Sequence, residues 1–340
     1  MAGNRESGET RDMISLIDYS MLLLVEKKTD NGEDSGEHAS NRDAVFFGVF
    51  DGCGGAGSQI CPKYHGKTEA YIASRATAEA FHDWFDRGDI RTKWRTEDLK
   101  RTIVDYLSRW DNAVGERSML MGGMKKKFPT TAAAGICYAG KTTVEADFFW
   151  AGDSRVYLLN DQGLAQLTED DLGGIDAMEN LTKDGVLTNM INLSRDFTIH
   201  SGHISMDRPG IIFAATDGCF GYLSTPMEFE YLLLETLLNS DCVSSDDSGV
   251  RNDYPGRDVS REGWQEKLSA RIGKAAGDDY TISGYSIGYG SFERMKKALI
   301  PRANELYKLY IRGLDKKTYD EKMALWESYK GNYYRLLCRP

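Results

Sequence analysis

The chain is 340 residues long, and its 41% hydrophobic and 28% charged residues are typical of a globular core and exclude a disordered chain. At that length it can form one large domain or two ordinary ones. Its net charge of −10 argues against nucleic acid as the main partner, because a phosphate backbone requires a surface rich in Lys and Arg.

The spacing of apolar residues predicts the secondary structure along the chain. Short β-branched and aromatic runs indicate strands, and apolar residues at helical spacing, such as Ile72, Ala76 and Ala80, indicate helices. The predicted strands are residues 14–27, 44–50, 131–138, 143–151, 155–160, 164–167, 211–216 and 280–287. The predicted helices are residues 64–85, 97–117, 226–239, 263–276 and the tail over 292–338.

Four polar stretches are predicted to lack helices and strands. They are a flexible N-terminus over 1–12, a hairpin loop over 29–42, a mobile flap over 169–208 and an insert rich in Ser and Asp over 240–261. Turn signals between the middle strands, such as residues 139–141, indicate a meander and hence a largely antiparallel sheet. The order of helices and strands predicts an α+β fold with the sheets inside and the helices outside.

The six cysteines are scattered, with no Cys-x-x-Cys pair and no signal peptide to indicate an oxidising compartment. We therefore interpret them as free thiols, and we expect no zinc site, because no His and Cys residues have ligand spacing. The apolar run nearest the start, residues 21–25, is far too short to span a bilayer. A cytoplasmic protein with no membrane partner is the simplest interpretation.

Three aspartates stand at the ends of predicted buried strands. Asp51 and Asp217 each end a strand and are followed by Gly, and Asp278 precedes a strand. Carboxylates, together with a carbonyl that a flexible residue such as Gly52 can turn toward an ion, form a hard oxygen site for Mg²⁺ or Mn²⁺. An Asp-Gly pair after a strand is by itself most often a turn. The pattern alone therefore leaves both interpretations open.

Six short segments, in a consistent order and spacing, carry a resemblance to one family. They are residues 46–55 (FFGVFDGCGG), 130–132 (TTA), 151–155 (AGDSR), 166–170 (QLTED), 214–218 (AATDG) and 278–281 (DDYT). Together they resemble the motifs of the metal-dependent type-2C protein phosphatases. Residues 13–291 are therefore interpreted as a type-2C phosphatase-like domain, followed by a C-terminal helical extension over 292–340.

The resemblance implies an αββα four-layer sandwich, in which two mainly antiparallel sheets are flanked by helices and metal ions lie in a cleft at one edge. It implies that Asp51 bridges two ions, that Gly52 offers its carbonyl to one of them, and that Asp217 and Asp278 hold the other. Asp153 matches a residue that helps to bind a weaker third ion in many bacterial members of the family.

The same resemblance implies a reaction and its partners. Asp51 and Asp217 are the implied catalytic residues, because they hold the two Mg²⁺ or Mn²⁺ ions, or three ions with Asp153, that activate water without a phospho-enzyme. The family acts on phosphoserine and phosphothreonine in proteins. The implied partners are a phosphorylated protein substrate and a cognate Ser/Thr kinase.

Two departures from the family pattern bear on catalysis. Cys53 stands where many members carry a His proposed as general acid, so slower chemistry is expected. The amino-terminal motif R-x-x-[MN]-E-D has its nearest match ending at Asp18, with Ile17 in place of Glu and Met13 in place of the phosphate-binding Arg. The cations that could replace this Arg are Arg11, Lys27, Arg42, Lys63 and Arg155.

Three functional hypotheses follow. The first is a metal-dependent phosphoserine and phosphothreonine protein phosphatase that uses metal-activated water. The second is a catalytically weak or inactive pseudophosphatase, which uses the same fold as a binding or regulatory module. The third is a phosphatase that acts on a small phosphorylated metabolite. The three retained aspartates favour an enzyme, because clustered carboxylates repel each other without metal.

Two further questions stay open at the level of sequence. Cys53 and Cys219 each follow an Asp-Gly pair, which suggests a redox switch, whereas Cys219 is also a plausible small core residue. The C-terminal extension either packs on the domain or forms a regulatory helix pair. Its candidate buried residues are Tyr307, Tyr310, Leu325, Trp326 and Tyr334.

Overall fold

The computed structural model describes residues 13–41, 43–90, 93–114, 127–173, 176–182, 185–240 and 259–339. Its strands are β1 (Ile17–Val25), β2 (Asp34–Ser40), β3 (Ala44–Asp51), β4 (Ile60–Cys61), β5 (Lys67–Thr68), β6 (Ala132–Ala139), β7 (Val144–Ala151), β8 (Arg155–Asn160), β9 (Gly163–Gln166), β10 (His200–Met206), β11 (Gly210–Ala215) and β12 (Tyr280–Ile287). Its helices are α1 (Glu69–Arg87), α2 (Thr96–Val114), α3 (Ala177–Asn180), α4 (Pro226–Leu238), α5 (Val259–Ile272), α6 (Phe292–Leu306) and α7 (Tyr319–Tyr333). The predicted N-terminus, 1–12, and most of the predicted insert, 240–261, lie outside the described residues.

Two five-stranded antiparallel sheets form the centre of the fold. The first sheet has the strand order β1-β12-β11-β8-β9, and the second has the order β10-β7-β6-β3-β2. Apolar side chains from both sheets, among them Phe47, Trp150 and Tyr285, are buried in one cluster between them. Removing this apolar surface from water is the main force that holds the sheets face to face.

Helices cover the outer side of each sheet. The helices α1 and α2 pack on the second sheet, where Phe81 and Phe85 of α1 contact Phe46 of β3. The helices α4 and α5 pack on the first sheet, where Trp264 of α5 contacts Tyr19 of β1. The chain is thus an α+β protein with the αββα four-layer arrangement, and the predicted fold class is confirmed.

Two strands lie in stretches that were predicted to lack regular structure. The strand β2 falls in the predicted hairpin loop and β10 in the predicted flap, so those predictions are wrong at these positions. Both strands form edges of the second sheet. An edge strand can be polar because one side of it faces solvent, and its residues then lack the apolar spacing that indicates a strand.

The C-terminal extension, residues 292–339, packs on the outer side of the first sheet through α6 and α7. Trp326 is fully buried, as predicted, whereas Tyr307 is 46% exposed, so the prediction that it is buried is wrong. Tyr329 and Tyr333 are buried instead, because they follow Trp326 at helical spacing and share its face of α7. The other candidates, Tyr310, Leu325 and Tyr334, are partly buried.

The described cysteines are Cys53, Cys61, Cys137, Cys219 and Cys338, and all of them are free thiols. Cys242 lies outside the described residues. Within the described ranges, no helix combines the length and the apolarity that crossing a membrane requires.

Candidate metal centre

An acidic pocket lies at one edge of the sheets, where β3 and β7 end and β12 begins. It has a volume of about 230 Å³ and is lined by seven carboxylates, Glu33, Asp34, Asp51, Asp153, Asp217, Asp278 and Asp279. The rest of its lining consists of Gly52, Cys53, Gly54, Gly55, Thr131 and Leu187. The structure therefore brings together all five predicted site residues, which are Asp51, Gly52, Asp153, Asp217 and Asp278.

Asp51 is the last residue of β3, and it stands opposite Asp34 of β2 in the register of the sheet. The carbonyl of Asp51 accepts a hydrogen bond of 2.8 Å from the backbone N–H of Thr131. At Gly52, a Cβ atom would lie 2.4 Å from the carbonyl oxygen of Ala70, so only Gly fits at this position. This close packing of backbone against backbone holds Asp51 in the lining of the pocket.

Asp217 begins a short 3₁₀ turn directly after β11. Its carbonyl accepts a hydrogen bond of 3.0 Å from the backbone N–H of Phe220. Gly218 packs against the residues that precede β12, because a Cβ atom there would lie 1.9 Å from the carbonyl oxygen of Asp279. The close approach of these two chain segments places Asp217 and Asp278 in the same pocket.

We expect Gly218→Ala to lower the free energy of unfolding by about 1–3 kcal/mol, because the added methyl group overlaps backbone that β12 holds in place. A suitable control is Gly331→Ala in α7, where a Cβ atom meets nothing within 4 Å. Urea unfolding curves measure both changes. If Gly218→Ala unfolds at the same urea concentration as the wild type, the two segments are not as closely packed as described.

Three of the seven carboxylates are not among the predicted site residues: Glu33, Asp34 and Asp279. Asp34 is 2% exposed and accepts hydrogen bonds from the hydroxyls of Thr216 and Thr281, each 2.9 Å long. Asp279 accepts a hydrogen bond of 2.7 Å from the backbone N–H of Glu33. These bonds join the start of β2 to the end of β11 and to the start of β12. The two sheets therefore meet at the pocket.

The pocket contains a Glu-Asp pair, Glu33-Asp34, whereas Ile17 and Asp18, the predicted nearest match to the amino-terminal motif, are not in its lining. The Asp18 carboxylate lies elsewhere and accepts hydrogen bonds of 2.6 and 2.7 Å from two backbone N–H groups that follow β12. Met13 is buried between the sheets. The pair could have been identified from its position at the start of a strand that pairs with β3. The polar composition of that strand, β2, gives no apolar pattern from which to predict it.

Burial and mutual repulsion both act on the carboxyl groups of the pocket. Burial, with the charges of neighbouring carboxylates, raises the pKa of Asp34 to about 8 and that of Asp153 to about 8. The same causes raise the pKa of Asp51 well above its ordinary value, and they raise the pKa of Asp217. The raised pKa values favour the protonated forms of these carboxyl groups.

The donors of the pocket fit a hard divalent cation. Carboxylate oxygens and a backbone carbonyl such as that of Gly52 are the ligands that Mg²⁺ and Mn²⁺ prefer, and Cys53 supplies the one sulfur of the lining. In the part of the chain that the structure describes, no three His, Cys, Asp or Glu side chains already surround a single point as ligands of one ion. The fit therefore rests on the chemistry of the donors and not on a preformed ligand geometry.

We expect the metal-free protein to become less stable as the pH rises from about 4 to about 8. The folded-state pKa of Asp34 and of Asp153 is about 8, against an ordinary value of 3.8, so the folded state binds more protons between these limits. Below about pH 4 both carboxyl groups are protonated in the folded and the unfolded state, and they do not affect stability. Above about pH 8 both are ionised in either state, and the destabilisation has reached its full size. Mn²⁺ binds the ionised groups and should therefore raise the melting temperature more at pH 8 than at pH 5.

Differential scanning calorimetry in EDTA and in Mn²⁺, across this pH range, measures both effects. The control is Asp207→Asn, which changes an aspartate whose side chain is 75% exposed and should leave the pH dependence as it is. A melting temperature in EDTA that rises between pH 5 and pH 8 would contradict the electrostatic description of the pocket.

No Lys or Arg belongs to the lining of the pocket among the described residues. Arg155 is buried behind the pocket and forms a bidentate ion pair with Asp170, with N–O distances of 2.6 and 2.9 Å. The Lys27 ammonium donates a hydrogen bond of 2.7 Å to the carbonyl of Ala276, and Lys63 lies exposed on the 3₁₀ turn Pro62–Tyr64. The other two candidates for phosphate binding, Arg11 and Arg42, lie outside the described residues.

The two cysteines that follow Asp-Gly pairs have different surroundings. Cys53 lines the pocket, whereas Cys219 is 2% exposed and its thiol donates a hydrogen bond of 3.3 Å to the carbonyl of Thr281. Burial, with the charge of Asp51, raises the pKa of the Cys53 thiol well above its ordinary value. Because oxidants attack the thiolate, this environment disfavours a redox switch, and Cys219 has the contacts of a core residue.

Comparison with known proteins relates the pocket to a family. Residues 26–246, more than half of the chain, match the family model described as protein phosphatase 2C, whereas Asp278 and β12 lie beyond the matched residues. No curated protein sequence matches the chain.

Solved structures of three bacterial phosphatases are similar to this chain. A bacterial serine phosphatase has a TM-score of 0.54 at 15% identity, with 79% of this chain and 98% of that chain covered. Serine/threonine phosphatase Stp1 from Staphylococcus aureus has a TM-score of 0.54 at 15% identity, with 80% and 95% covered. Serine/threonine phosphatase PstP/Ppp from Mycobacterium tuberculosis has a TM-score of 0.50 at 16% identity, with 80% and 99% covered. At these identities the likeness shows the fold.

Proposed function

We propose a function for this chain from the fact that it belongs to the protein phosphatase 2C family. The chain hydrolyses phosphoserine and phosphothreonine in proteins, and it uses two Mg²⁺ or Mn²⁺ ions held in the acidic pocket. The observation that carries this proposal is the convergence of seven carboxylates, from five separate parts of the chain, on one pocket at the edge of the sheets. A cognate Ser/Thr kinase and a cytoplasmic location belong to the same proposal.

The roles proposed for the side chains are those that the family resemblance implies, and all of these residues line the pocket. Asp51 would be shared by both ions, and the carbonyl of Gly52 would add a ligand to one of them. Asp217 and Asp278 would hold the other ion, and Asp153 would contribute to a weaker third site. Two bound divalent ions supply a nucleophile from water at neutral pH and withdraw charge from the phosphoryl group.

Glu33, Asp34 and Asp279 surround these ligands. Glu33 is half-buried, and burial with the charge of Asp279 raises its pKa, although a hydrogen bond from Thr68 acts in the opposite direction. We assign Glu33 the task of orienting the attacking water. Asp34 and Asp279 hold the strand ends in place through their hydrogen bonds to the backbone and to the threonine hydroxyls.

The leaving group has no strong acid beside it in this pocket. Cys53 occupies the position of the family's proposed general acid, and its raised pKa keeps the thiol protonated and makes it a poor proton donor at neutral pH. Proton transfer to the leaving oxygen therefore falls to solvent, and a slower reaction than in members with His is expected. Among the described residues no Lys or Arg lines the pocket, so bound metal ions would supply the positive charge that the substrate phosphate meets there.

A pseudophosphatase is the second candidate, and the observation that favours it is that no Lys or Arg among the described residues lines the pocket. The carboxylates weigh against it, because gathering seven of them in one pocket, most of them at least partly buried, destabilises a metal-free fold and a binding module has no need of them. A phosphatase for small metabolites is the third candidate. No apolar pocket for a small ligand adjoins the acidic pocket in its described lining, where Leu187 is the only large apolar residue.

One assay distinguishes the three candidates. Purified protein with Mn²⁺ is given a phosphothreonine peptide, p-nitrophenyl phosphate and a set of sugar phosphates, and release of phosphate is measured. The proposal predicts turnover of the peptide with the highest kcat/KM. No turnover of any substrate would leave the pseudophosphatase, and a preference for sugar phosphates would identify a metabolite phosphatase.

A further inference from the structure

The C-terminal extension reaches the back of the acidic pocket through Arg155, the first residue of β8. Arg155 is 1% exposed, and one of its terminal nitrogens donates hydrogen bonds to the hydroxyls of Tyr157 (3.2 Å) and Tyr333 (3.3 Å). The two hydroxyls are themselves 3.2 Å apart. Tyr333 belongs to α7, so a residue of the extension completes the hydrogen bonds of a buried guanidinium in the phosphatase-like domain.

Arg155 in turn contacts the residues on which the pocket is built. It follows Asp153 by two residues, and its guanidinium lies 4.1 Å from the ring centre of Phe220, whose N–H donates to the carbonyl of Asp217. The Arg155 guanidinium is planar and is held by several contacts. A change at Tyr333 is therefore expected to shift its positive charge relative to Asp153 and Asp217.

The extension also holds the loop that supports Asp153. The backbone N–H of Cys338 donates to the carbonyl of Leu167 (2.8 Å), and the indole of Trp326 donates to the carboxylate of Asp176 (2.9 Å). The hydroxyl of Tyr334 accepts a hydrogen bond of 2.8 Å from the backbone N–H of Ala177. The extension therefore contacts this loop at three places, between residues 167 and 177.

Asp171, within the same loop, makes contact with the turn that carries Asp153. Its carboxylate accepts a hydrogen bond of 2.8 Å from the N–H of Gly152, and its own N–H donates to the Gly152 carbonyl (3.0 Å). The same carboxylate accepts a bond of 2.7 Å from the amide of Asn189, two residues after Leu187 of the pocket lining. Contacts thus run from Cys338 of the extension, through residues 167–171, to the pocket wall.

We propose that Tyr333 is a positioning residue of the metal centre, and that docking of the C-terminal extension and binding of divalent metal are coupled. The inference rests on the proposed function, because it takes the pocket to bind metal. The extension begins at residue 292, beyond the residues 26–246 that match the family model. Coupling is reciprocal: if the extension strengthens metal binding, metal strengthens the docking of the extension by the same factor.

Tyr333→Phe, which removes one hydroxyl and keeps the ring, is the direct test. Mn²⁺ is titrated into the metal-free full chain by calorimetry, and we expect the dissociation constant to rise about 3- to 30-fold. The matched control is Tyr319→Phe on the same helix, at a residue that is 46% exposed, and it should bind Mn²⁺ as the wild type does. We also expect a lower kcat with KM nearly unchanged. Equal Mn²⁺ affinity in Tyr333→Phe and wild type would overturn the proposal.

Hydrogen exchange of the wild type provides a second test that does not depend on how well the variant folds. Mn²⁺ should slow amide exchange in peptides that cover residues 326–337, and the effect should vanish in the Asp51→Asn variant. Exchange that Mn²⁺ leaves unchanged would overturn the coupling alone, with the phosphatase proposal intact. Failure of the wild type to bind Mn²⁺ at all would overturn both, and calorimetry shows which of the two has occurred.

Discussion

Asp51→Asn is expected to lower kcat/KM for a phosphothreonine peptide by a factor on the order of 10³, which corresponds to about 4 kcal/mol of transition-state stabilisation. Asp51 is the residue assigned to both ions, so its loss weakens two sites together. An amide keeps the shape of the side chain and removes its charge, so the loss reports on cation binding. Initial rates of phosphate release with saturating Mn²⁺ measure the effect.

The same variant should fold at least as well as the wild type when metal is absent. Burial and neighbouring carboxylates raise the pKa of Asp51 well above its ordinary value, so a neutral side chain there relieves repulsion. The matched control is Asp207→Asn, the same chemical change at a side chain that is 75% exposed. If Asp51→Asn retains more than about a tenth of the wild-type kcat/KM, Asp51 does not have the role proposed here.

Arg302→Met is expected to lower the free energy of unfolding by about 3–5 kcal/mol, the largest effect on stability that we predict. Arg302 of α6 forms a bidentate pair with Glu230 of α4, with distances of 2.6 and 3.0 Å. Glu230 is fully buried and also accepts a hydrogen bond from the hydroxyl of Tyr329 in α7. Removing Arg302 leaves the Glu230 charge buried with a single neutral donor.

The double variant Glu230→Leu with Arg302→Met should recover most of the lost stability, because it removes both charges at once and fills the space with apolar atoms. Guanidinium unfolding gives the free energy of unfolding of the wild type, the two single variants and the double variant, which together form a double-mutant cycle. If the double variant is as unstable as the sum of the single variants, the pair is not the buried junction of α4 and α6 that we describe.

The parts of the site that lie beside strongly apolar strands could be predicted from sequence. Asp51 and Asp217 follow β3 and β11, whose residues are buried on both faces of their sheets and are therefore apolar nearly without interruption. Such a strand ends where its apolar run stops, so its end can be located in the sequence. The carboxylates at those ends are predicted to lie together. The structure brings them together in one pocket.

Asp34 could not be predicted in the same way. Its strand, β2, is a polar edge strand, and its burial depends on hydroxyls of Thr216 and Thr281 that lie 182 and 247 residues away in the sequence. Local spacing carries no information about contacts of that kind. The strand β2 can be recognised only when its pairing with β3, and the register of that pairing, are known.

In the C-terminal extension, helical spacing alone does not predict which residues are buried. The predicted buried residue Tyr307 lies in the π-helical turn Tyr307–Ile311, which widens the helix and turns the following side chains to a new direction. Tyr333, by contrast, shares the buried face of α7 with Trp326, and its hydroxyl also accepts a hydrogen bond from Arg155 in another element. The π-helical turn and the contact with Arg155 are not encoded in the local periodicity of the segment.

Release of phosphate from a phosphothreonine peptide, measured against Mn²⁺ concentration, tests the central claim most directly. The wild type should show no turnover in EDTA and a rate that rises to saturation as Mn²⁺ is added. Asp217→Asn should show a rate lower by a factor on the order of 10³ at every Mn²⁺ concentration, with a shifted or absent saturation. Turnover that persists in EDTA, or that survives Asp217→Asn undiminished, would contradict a metal-dependent phosphatase built on this pocket.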